Sequence, residues 1–245
     1  GDGVLDVDDN CSLVPNFKYL ISIRPGSSPT LHRMFKSIDE GVNWFEINST
    51  PYLEDIEFIN DTTYLASSEG DGIYISYDSG SSWEKIFTLG NSWGIEDVEI
   101  LNDSTYLGVR GGMKDGLWKS TDYGLNWNKI SDIQIENLEI IDSQTFIGVR
   151  RDAGGIEKST DGGITWTQIN NTALYDIEVI NESTFVGVSG PGWGSGKFMK
   201  SIDGGINWTE VAQISLSGGI EDIEILNDST YIASQHDDQL YKTID

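Results

Sequence analysis

The sequence predicts an all-β fold, a β-propeller of four-stranded antiparallel blades, on three observations. An eight-residue box recurs five times, an alternating hairpin pattern recurs between the boxes, and the two recur together along the chain. The Asp residues of successive boxes are 39, 44, 39, 42 and 42 residues apart when a partial sixth copy is counted. Four short strands in about 40 residues are typical of a propeller blade, so six repeat units are visible.

The box has the pattern S-x-D-x-G-x-x-W. It occupies residues 37–44, 76–83, 120–127, 159–166 and 201–208, and a sixth copy begins at residues 243–245. Gly permits the positive φ of a tight turn, and Asp and Ser side chains accept hydrogen bonds from nearby backbone N–H groups. The Trp buries a large apolar area. The box is therefore predicted to be a structural turn and not a site.

The hairpin pattern lies between the boxes, with copies that begin at Glu54, Glu96, Glu136, Tyr175 and Glu221. Each copy is an alternating apolar run, a turn rich in Asn, Asp and Ser, and a second run of β-branched and aromatic residues. These runs are labelled strands A and B. Strand C leads into the box, as in residues 116–120, and strand D carries the Trp out, as in residues 126–130.

The five full boxes resemble the Asp-box, or bacterial neuraminidase repeat, over about residues 17–245. This motif occurs in sialidases, bacterial xyloglucanases, sortilin-type receptors and photosystem II assembly-factor propellers. The resemblance implies an Asp-box β-propeller. It does not imply one function, because the same fold hosts many activities.

The charge balance excludes several classes of partner. Asp and Glu number 40 and Lys and Arg 15, so the formal net charge is −25. Nucleic acid and anionic membranes are therefore poor partners, because both bind cationic surfaces. No apolar run is long enough to span a bilayer, so no membrane insertion is expected. A single Cys, Cys11, excludes an internal disulfide framework.

The N-terminal residues 1–11 are predicted to be an acidic linker or a partial calcium-binding segment. Their sequence resembles the end of a thrombospondin type 3 calcium repeat, in which Asp2, Asp6 and Asp9 match ligand positions. Closely spaced carboxylates suit Ca²⁺, so calcium is the one cofactor expected. The alternatives are a solvated linker, or a strand at residues 4–7 that closes the ring.

Residues 12–245 are predicted to form the propeller. Residues 10–15 align with strand A of the other units, which favours six blades. Because the chain ends inside its sixth box, we expect the propeller to be truncated at its C-terminus. The calcium-repeat resemblance favours an exported bacterial protein, extracellular or on the cell surface, with further domains in the same polypeptide.

The face opposite the box turns is the expected ligand face, here called the loop face, since it holds the B–C and D–A loops. All five Arg residues lie at the end of strand B or in a B–C loop, and two Trp residues outside the repeat pattern lie in loops. Arg suits bidentate contact with carboxylates, and an exposed Trp suits stacking on sugars. We predict a site for an anionic glycan or a protein partner at Trp93, Arg110, Arg150, Arg151 and Trp193. The alternative is that the Arg residues pair with carboxylates and only order the loops.

An acidic ring is predicted near the propeller axis. Strand A carries a Glu in each of five units: Glu57, Glu99, Glu139, Glu178 and Glu224. If these side chains face the axis, their repulsion has to be offset by cations, water or basic groups. The favoured interpretation is that each Glu reaches a Lys or the backbone of a neighbouring blade, and a bound ion is the alternative.

A non-catalytic binding or adhesion domain is the function that the sequence favours. A sialidase-like or other glycoside hydrolase is the alternative, and it requires suitably placed carboxylates. Only five loop carboxylates depart from the repeat pattern: Asp71, Asp115, Asp152, Asp237 and Asp238. The regularity of the repeats argues against catalysis, because an active site normally breaks repeat symmetry.

Overall fold

The computed structural model describes residues 19–23, 33–37, 43–47, 53–68, 71–88, 94–110, 116–150, 154–189, 196–214, 220–227, 230–235 and 240–242. Within these ranges every regular element is a β-strand, and no helix occurs. The all-β prediction is confirmed.

The strands form six antiparallel sheets, which we number as blades 1 to 6 in chain order. Blade 1 contains β1 (Tyr19–Ile23), β2 (Arg33–Ser37) and β3 (Phe45–Ile47). Blade 2 contains β4 (Ile56–Phe58), β5 (Tyr64–Ser68), β6 (Gly72–Ser76) and β7 (Glu84–Phe87). Blade 3 contains β8 (Asp97–Asn102), β9 (Thr105–Arg110), β10 (Gly116–Ser120) and β11 (Trp127–Ser131). Blade 4 contains β12 (Asn137–Ile140), β13 (Phe146–Val149), β14 (Ile156–Ser159) and β15 (Thr167–Asn170). Blade 5 contains β16 (Asp176–Asn181), β17 (Thr184–Ser189), β18 (Gly196–Ser201) and β19 (Thr209–Ile214). Blade 6 contains β20 (Ile220–Asn227), β21 (Thr230–Gln235) and β22 (Leu240–Lys242).

Each blade is a meander in which strands consecutive in sequence are hydrogen-bonded neighbours. Blades 2 to 5 have the four strands that the repeat predicts, and blades 1 and 6 have three among the described residues. The innermost strands of successive blades contact one another from β4 through β8, β12 and β16 to β20. The predicted propeller of four-stranded blades is therefore confirmed. The N-terminal residues 1–15 and the partial box at 243–245, on which the predicted ring closure depends, lie outside the described residues.

The hydrophobic core is divided into layers between neighbouring blades. Strand B is the most buried strand, and every residue of β5 and β9 is buried. Successive strand residues point to opposite faces of a sheet, so strand B contributes to the layers on both of its sides. The layer between blades 3 and 4 consists of Leu107, Val109, Leu117, Ile135, Leu138 and Phe146, with Trp166 packed against them. Three box residues, Trp127, Trp166 and Trp208, thus each join their blade to the preceding one.

The box turn is closed by hydrogen bonds to the buried Ser side chain. In blade 3 the Ser120 hydroxyl donates to Asp122 Oδ1 at 2.9 Å and accepts from the Gly124 N–H at 2.9 Å. Gly124 has a φ of 80°, which favours glycine, and its carbonyl accepts the Trp127 indole N–H at 2.8 Å. The turn also donates from Tyr123 N to Ser104 O in the A–B turn, at 3.0 Å. The predicted structural role of the box is confirmed.

Replacing Ser120 by Ala is expected to destabilise the protein by about 1–3 kcal/mol, because the buried Gly124 N–H then loses its acceptor. Urea unfolding of wild type and variant measures the change. Ser104→Ala is the control, because Ser104 lies in the adjacent A–B turn, where its hydroxyl is 3.4 Å from Asn102 Oδ1. Equal effects of the two substitutions would contradict the role assigned to the box Ser.

Candidate ligand face and central channel

Two of the predicted ligand-binding residues lie at the loop-face ends of neighbouring blades. Arg110 ends β9, and Arg150 directly follows β13. Arg110 is buried, with 4% of its surface exposed, whereas the Arg150 side chain is 32% exposed. Arg150 is therefore the better placed of the two to contact a ligand. Trp93, Arg151 and Trp193 lie outside the described residues, so their predicted role stays a prediction, as does calcium binding by Asp2, Asp6 and Asp9.

Arg150 pairs with a buried glutamate on the neighbouring strand. Its Nη1 lies 3.3 Å from Glu157 Oε1, and only 5% of Glu157 is exposed. The Arg150 backbone N–H donates to Gly155 O at 3.0 Å, which closes the B–C connection. The pair agrees with the alternative interpretation for this Arg, in which it orders the loops. A third of the side chain nevertheless remains open to solvent.

Blade 2 has a different polar cluster at the same face. Asp71 accepts hydrogen bonds from both Lys85 Nζ and the Tyr74 hydroxyl, and the ammonium lies 5.5 Å from the centre of the Tyr74 ring. The hydrogen bonds from Lys85 and Tyr74 hold the pKa of Asp71 below its usual value. Asp71 is therefore a firmly ionised, paired carboxylate, a poor choice for the general acid of a hydrolase. The other four unusual loop carboxylates, Asp115, Asp152, Asp237 and Asp238, lie outside the described residues.

The inner strands bring acidic side chains together at the axis, as predicted for the Glu ring. Glu57 of blade 2 is close enough to Glu139 of blade 4 and Glu224 of blade 6 for their charges to act on it. Burial first, then the nearby Asp55, and then Glu224 and Glu139 raise the pKa of Glu57 well above its usual value. Burial also raises the pKa of Glu139, to about 8. The pKa of Glu99 is raised by burial and by Glu139 and Glu57.

One residue of the ring, Glu139, reaches the backbone of a neighbouring blade, as the favoured interpretation of the ring expects. Glu139 Oε2 accepts from the backbone N–H of Val179 on the next blade at 3.4 Å. Among the described residues, no group of three or more His, Cys, Asp or Glu side chains is arranged to hold a metal ion. The raised pKa values of Glu57, Glu99 and Glu139 favour their protonated forms, which reduces the repulsion within the ring.

A set of inter-blade aspartates was not singled out from the sequence. Asp55 accepts from Val98 N at 2.8 Å, Asp97 from Leu138 N at 2.5 Å, and Asp176 from Ile223 N at 2.7 Å. Each carboxylate thus binds the backbone of the inner strand in the next blade. The signal in the sequence is the acidic residue two positions before the strand-A Glu of blades 2, 3, 5 and 6, which the repeat pattern alone does not separate from its other acidic positions.

The blade 4 position of this set is occupied by Asn137. Its amide donates from Nδ2 to Asp176 Oδ1 at 2.5 Å, and its Oδ1 is buried without a hydrogen-bond partner. By contrast Asp55 lies within hydrogen-bonding reach of Asp97, and burial and the Asp55 charge raise the pKa of Asp97 well above its usual value. Two neighbouring carboxylates need a proton between them, whereas an amide beside a carboxylate does not.

Comparisons with known proteins agree with this architecture. The BNR/Asp-box repeat model matches residues 157–168. No curated protein sequence matches the chain significantly. No helix among the described residues is long and apolar enough to cross a membrane.

Solved structures with the same fold include an assembly factor and glycoside hydrolases. YCF48 from Cyanidioschyzon merolae has a TM-score of 0.58 at 15% identity, over 86% of this chain and 76% of its own. A YCF48 structure described as bound to D1 peptide has a TM-score of 0.58 at 14% identity, over 87% of this chain and 85% of its own. The GH74 xyloglucanase from Xanthomonas campestris has a TM-score of 0.64 at 13% identity, over 92% of this chain. The match spans only 43% of that enzyme. These matches show that the chain has a β-propeller fold, and its box turns in blades 2 to 5 share the pattern of the BNR/Asp-box repeat that is matched at residues 157–168.

Proposed function

We propose that this chain is a non-catalytic binding domain of a larger exported protein. Its loop face in blades 3 to 5 binds a peptide segment of a protein partner through a carboxylate of that segment. The observation that carries the proposal is the placement of Arg150, whose partly exposed side chain lies at the loop-face end of blade 4 and pairs with the buried Glu157.

Arg150 has hydrogen-bonding capacity to spare. A guanidinium carries five N–H donors, and among the described residues that of Arg150 makes one hydrogen bond, to Glu157. Bidentate pairing with a carboxylate needs two parallel N–H groups on one edge of the guanidinium. The other guanidinium donors make no hydrogen bond to a described residue, which supports binding of a ligand carboxylate while Glu157 holds the side chain.

The distribution of pKa shifts supports binding over catalysis. An inverting glycosidase needs a general acid of raised pKa facing a second carboxylate across the scissile bond. The described carboxylates of raised pKa all lie on inner strands, where burial and the charges of neighbouring carboxylates raise the pKa: Glu57, Asp97, Glu99 and Glu139. At the loop face the pKa of Asp71 is lowered instead.

A peptide is favoured over a glycan by two arguments. A propeller of the same fold, YCF48, is described as bound to a peptide, and that match covers most of both chains. The second argument is electrostatic. Charges beyond about 8–10 Å are screened at physiological salt, but a polyanionic glycan places several charges within that distance of a chain of net charge −25. A single carboxylate on an otherwise neutral peptide is therefore the ligand best matched to this face.

The proposal is tested on an array of short peptides that each carry one Asp or Glu, printed beside twins with Asn or Gln. Sialylated and uronic-acid glycans with neutral twins form a second arm, and hydrolysis of the same glycans is followed in solution. Binding that requires the peptide carboxylate supports the proposal. Binding confined to the glycans assigns the other ligand class, and hydrolysis overturns the non-catalytic assignment.

Arg150→Gln is expected to weaken binding of a selected carboxylate peptide by about 10- to 100-fold, the usual effect of losing a charge-assisted hydrogen bond. Fluorescence polarisation with a labelled peptide measures the dissociation constant. Lys197→Gln is the matched control, because Lys197 is a partly exposed cation in blade 5 that already pairs with Glu210 at 2.6 Å. If both variants lose affinity equally, Arg150 is not the carboxylate-binding group.

A further inference from the structure

Blade 4 breaks the repeat at one position of strand C, which is buried in blades 2 and 4 and partly buried in blades 3 and 5. The residue that pairs with a Gly or Ala of strand B is Tyr74 in blade 2, Trp118 in blade 3, Met199 in blade 5 and Tyr241 in blade 6. In blade 4 the same register position, opposite Gly148, holds Glu157. A charged residue thus replaces a large apolar or aromatic one where the blades pack together.

The replacement has a physical cost, because a charged side chain is buried with a single hydrogen bond. Glu157 is 95% buried by its neighbours, and the one hydrogen bond described for it is to Arg150 at 3.3 Å. On strand D, Glu157 pairs with the neutral Gln168. In blades 2 and 3 the corresponding residues, Tyr74 and Trp118, pair with Lys85 and Lys129. A buried ion pair is often no more stabilising than well-packed apolar residues of similar volume. The departure from the repeat is therefore better explained by function than by stability.

We infer that Glu157 is a positioning residue, which holds the Arg150 guanidinium at the loop face in the orientation that receives a ligand carboxylate. A long Arg side chain that is one-third exposed loses conformational freedom when it binds a ligand. Pairing with a buried, fixed carboxylate removes part of that freedom before the ligand arrives, so less is lost on binding. This inference rests on the proposed function and names the residue that makes Arg150 selective.

If Glu157 positions Arg150, substitutions of Glu157 should lower the affinity for the carboxylate peptide without lowering the stability of the protein to urea. In Glu157→Met the apolar side chain of blade 5 replaces the charge, and the variant is expected to unfold at a urea concentration no lower than the wild type does. Its affinity for the carboxylate peptide is expected to fall at least about tenfold, and its preference over the amide twin to disappear. Glu157→Gln is expected to show the same loss of preference without a change of side-chain volume.

The test uses the whole chain, one carboxylate peptide from the array and its amide twin, with fluorescence polarisation for affinity and urea unfolding for stability. Glu210→Gln is the matched control, because it neutralises a 40% exposed glutamate that pairs with Lys197, and we expect no change in preference. A Glu157→Gln or Glu157→Met protein that folds and still prefers the carboxylate peptide as the wild type does overturns the inference. A wild type that shows no such preference overturns the proposed function itself, and the inference falls with it.

Discussion

Raising the pH from about 5.5 to about 8.5 is expected to lower the free energy of unfolding, the reverse of the trend for a protein stabilised by ionised carboxylates. The cause is the inner-strand cluster, in which burial raises the pKa of Glu57, Asp97, Glu99 and Glu139. A group whose folded pKa is raised binds more protons in the folded state. Its stabilisation is therefore complete below the unfolded pKa and is lost as the pH rises through the folded pKa.

The pH range over which this stabilisation is lost follows from the pKa of Glu139. Its pKa rises from an ordinary value of 4.5 to about 8, so its contribution falls across that interval. Since one pKa unit corresponds to about 1.4 kcal/mol, the expected loss from this residue over the whole interval is on the order of 5 kcal/mol. At lower pH the box aspartates act in the opposite direction. Hydrogen bonds from the Asn126 side chain and backbone hold the pKa of Asp122 below its usual value, and its contribution is lost on acidification. Stability is therefore expected to be greatest at mildly acidic pH.

Thermal and urea unfolding at constant ionic strength with a chelator present measure this dependence. Glu139→Gln keeps the shape of the side chain without the charge, so it is expected to be more stable than the wild type at about pH 8.5 and to have a flatter pH profile. Glu84→Gln is the control, because Glu84 begins the exposed outer strand of blade 2. Stability that rises between pH 5.5 and 8.5, or equal slopes in wild type and Glu139→Gln, would contradict the proposed protonation of the channel.

The repeat architecture was predictable because the sequence of each unit determines the local structure of that unit. Ser120, Asp122 and Gly124 recur at fixed positions, and each has a local reason to be there, so the turn could be inferred from one copy and checked against four others. The apolar alternation of strands A and B placed Tyr106 and Leu107 in a hairpin, in which they pair with Ile100 and Glu99. Local turn chemistry and period-2 patterning therefore account for the blades.

Contacts between blades were not predictable in the same way. Asp55 binds the backbone of Val98, 43 residues later, and no local pattern separates such an aspartate from one that faces solvent. The burial of Arg110 and the partial exposure of Arg150 likewise depend on what the adjacent blade places beside each strand end. Glu157 was visible in the sequence as a charge at an apolar repeat position, but its burial and its pairing with Arg150 required the structure.

Asn137→Asp is expected to destabilise the protein by about 3 kcal/mol or more at about pH 8.5, and by much less at about pH 5.5. The substitution looks conservative, because it restores the Asp found at this position in blades 2, 3 and 5. In blade 4, however, the Asn137 amide lies 2.5 Å from Asp176 Oδ1, which also accepts from Ile177 N, while Asp176 Oδ2 accepts from Ile223 N. An aspartate at 137 replaces this hydrogen bond by the contact of two carboxylate oxygens.

The wild-type sequence explains why one amide in the set is favourable. Asp55 and Asp97 are already in hydrogen-bonding reach of each other and require a proton, which the raised pKa of Asp97 supplies. A second such pair between blades 4 and 5 would require a second proton near the axis, beside Glu139. Asn137 avoids that requirement at the cost of a buried Oδ1 without a partner.

Urea unfolding at both pH values measures the effect of Asn137→Asp, with Asn126→Asp as the control. Asn126 makes the same amide contact to a carboxylate, Asp122 Oδ2 at 2.6 Å, but in an exposed turn. Water screens the new repulsion there, so a pH-dependent loss at Asn137 that is no larger than the loss at Asn126 would show that protons at the axis do not limit stability.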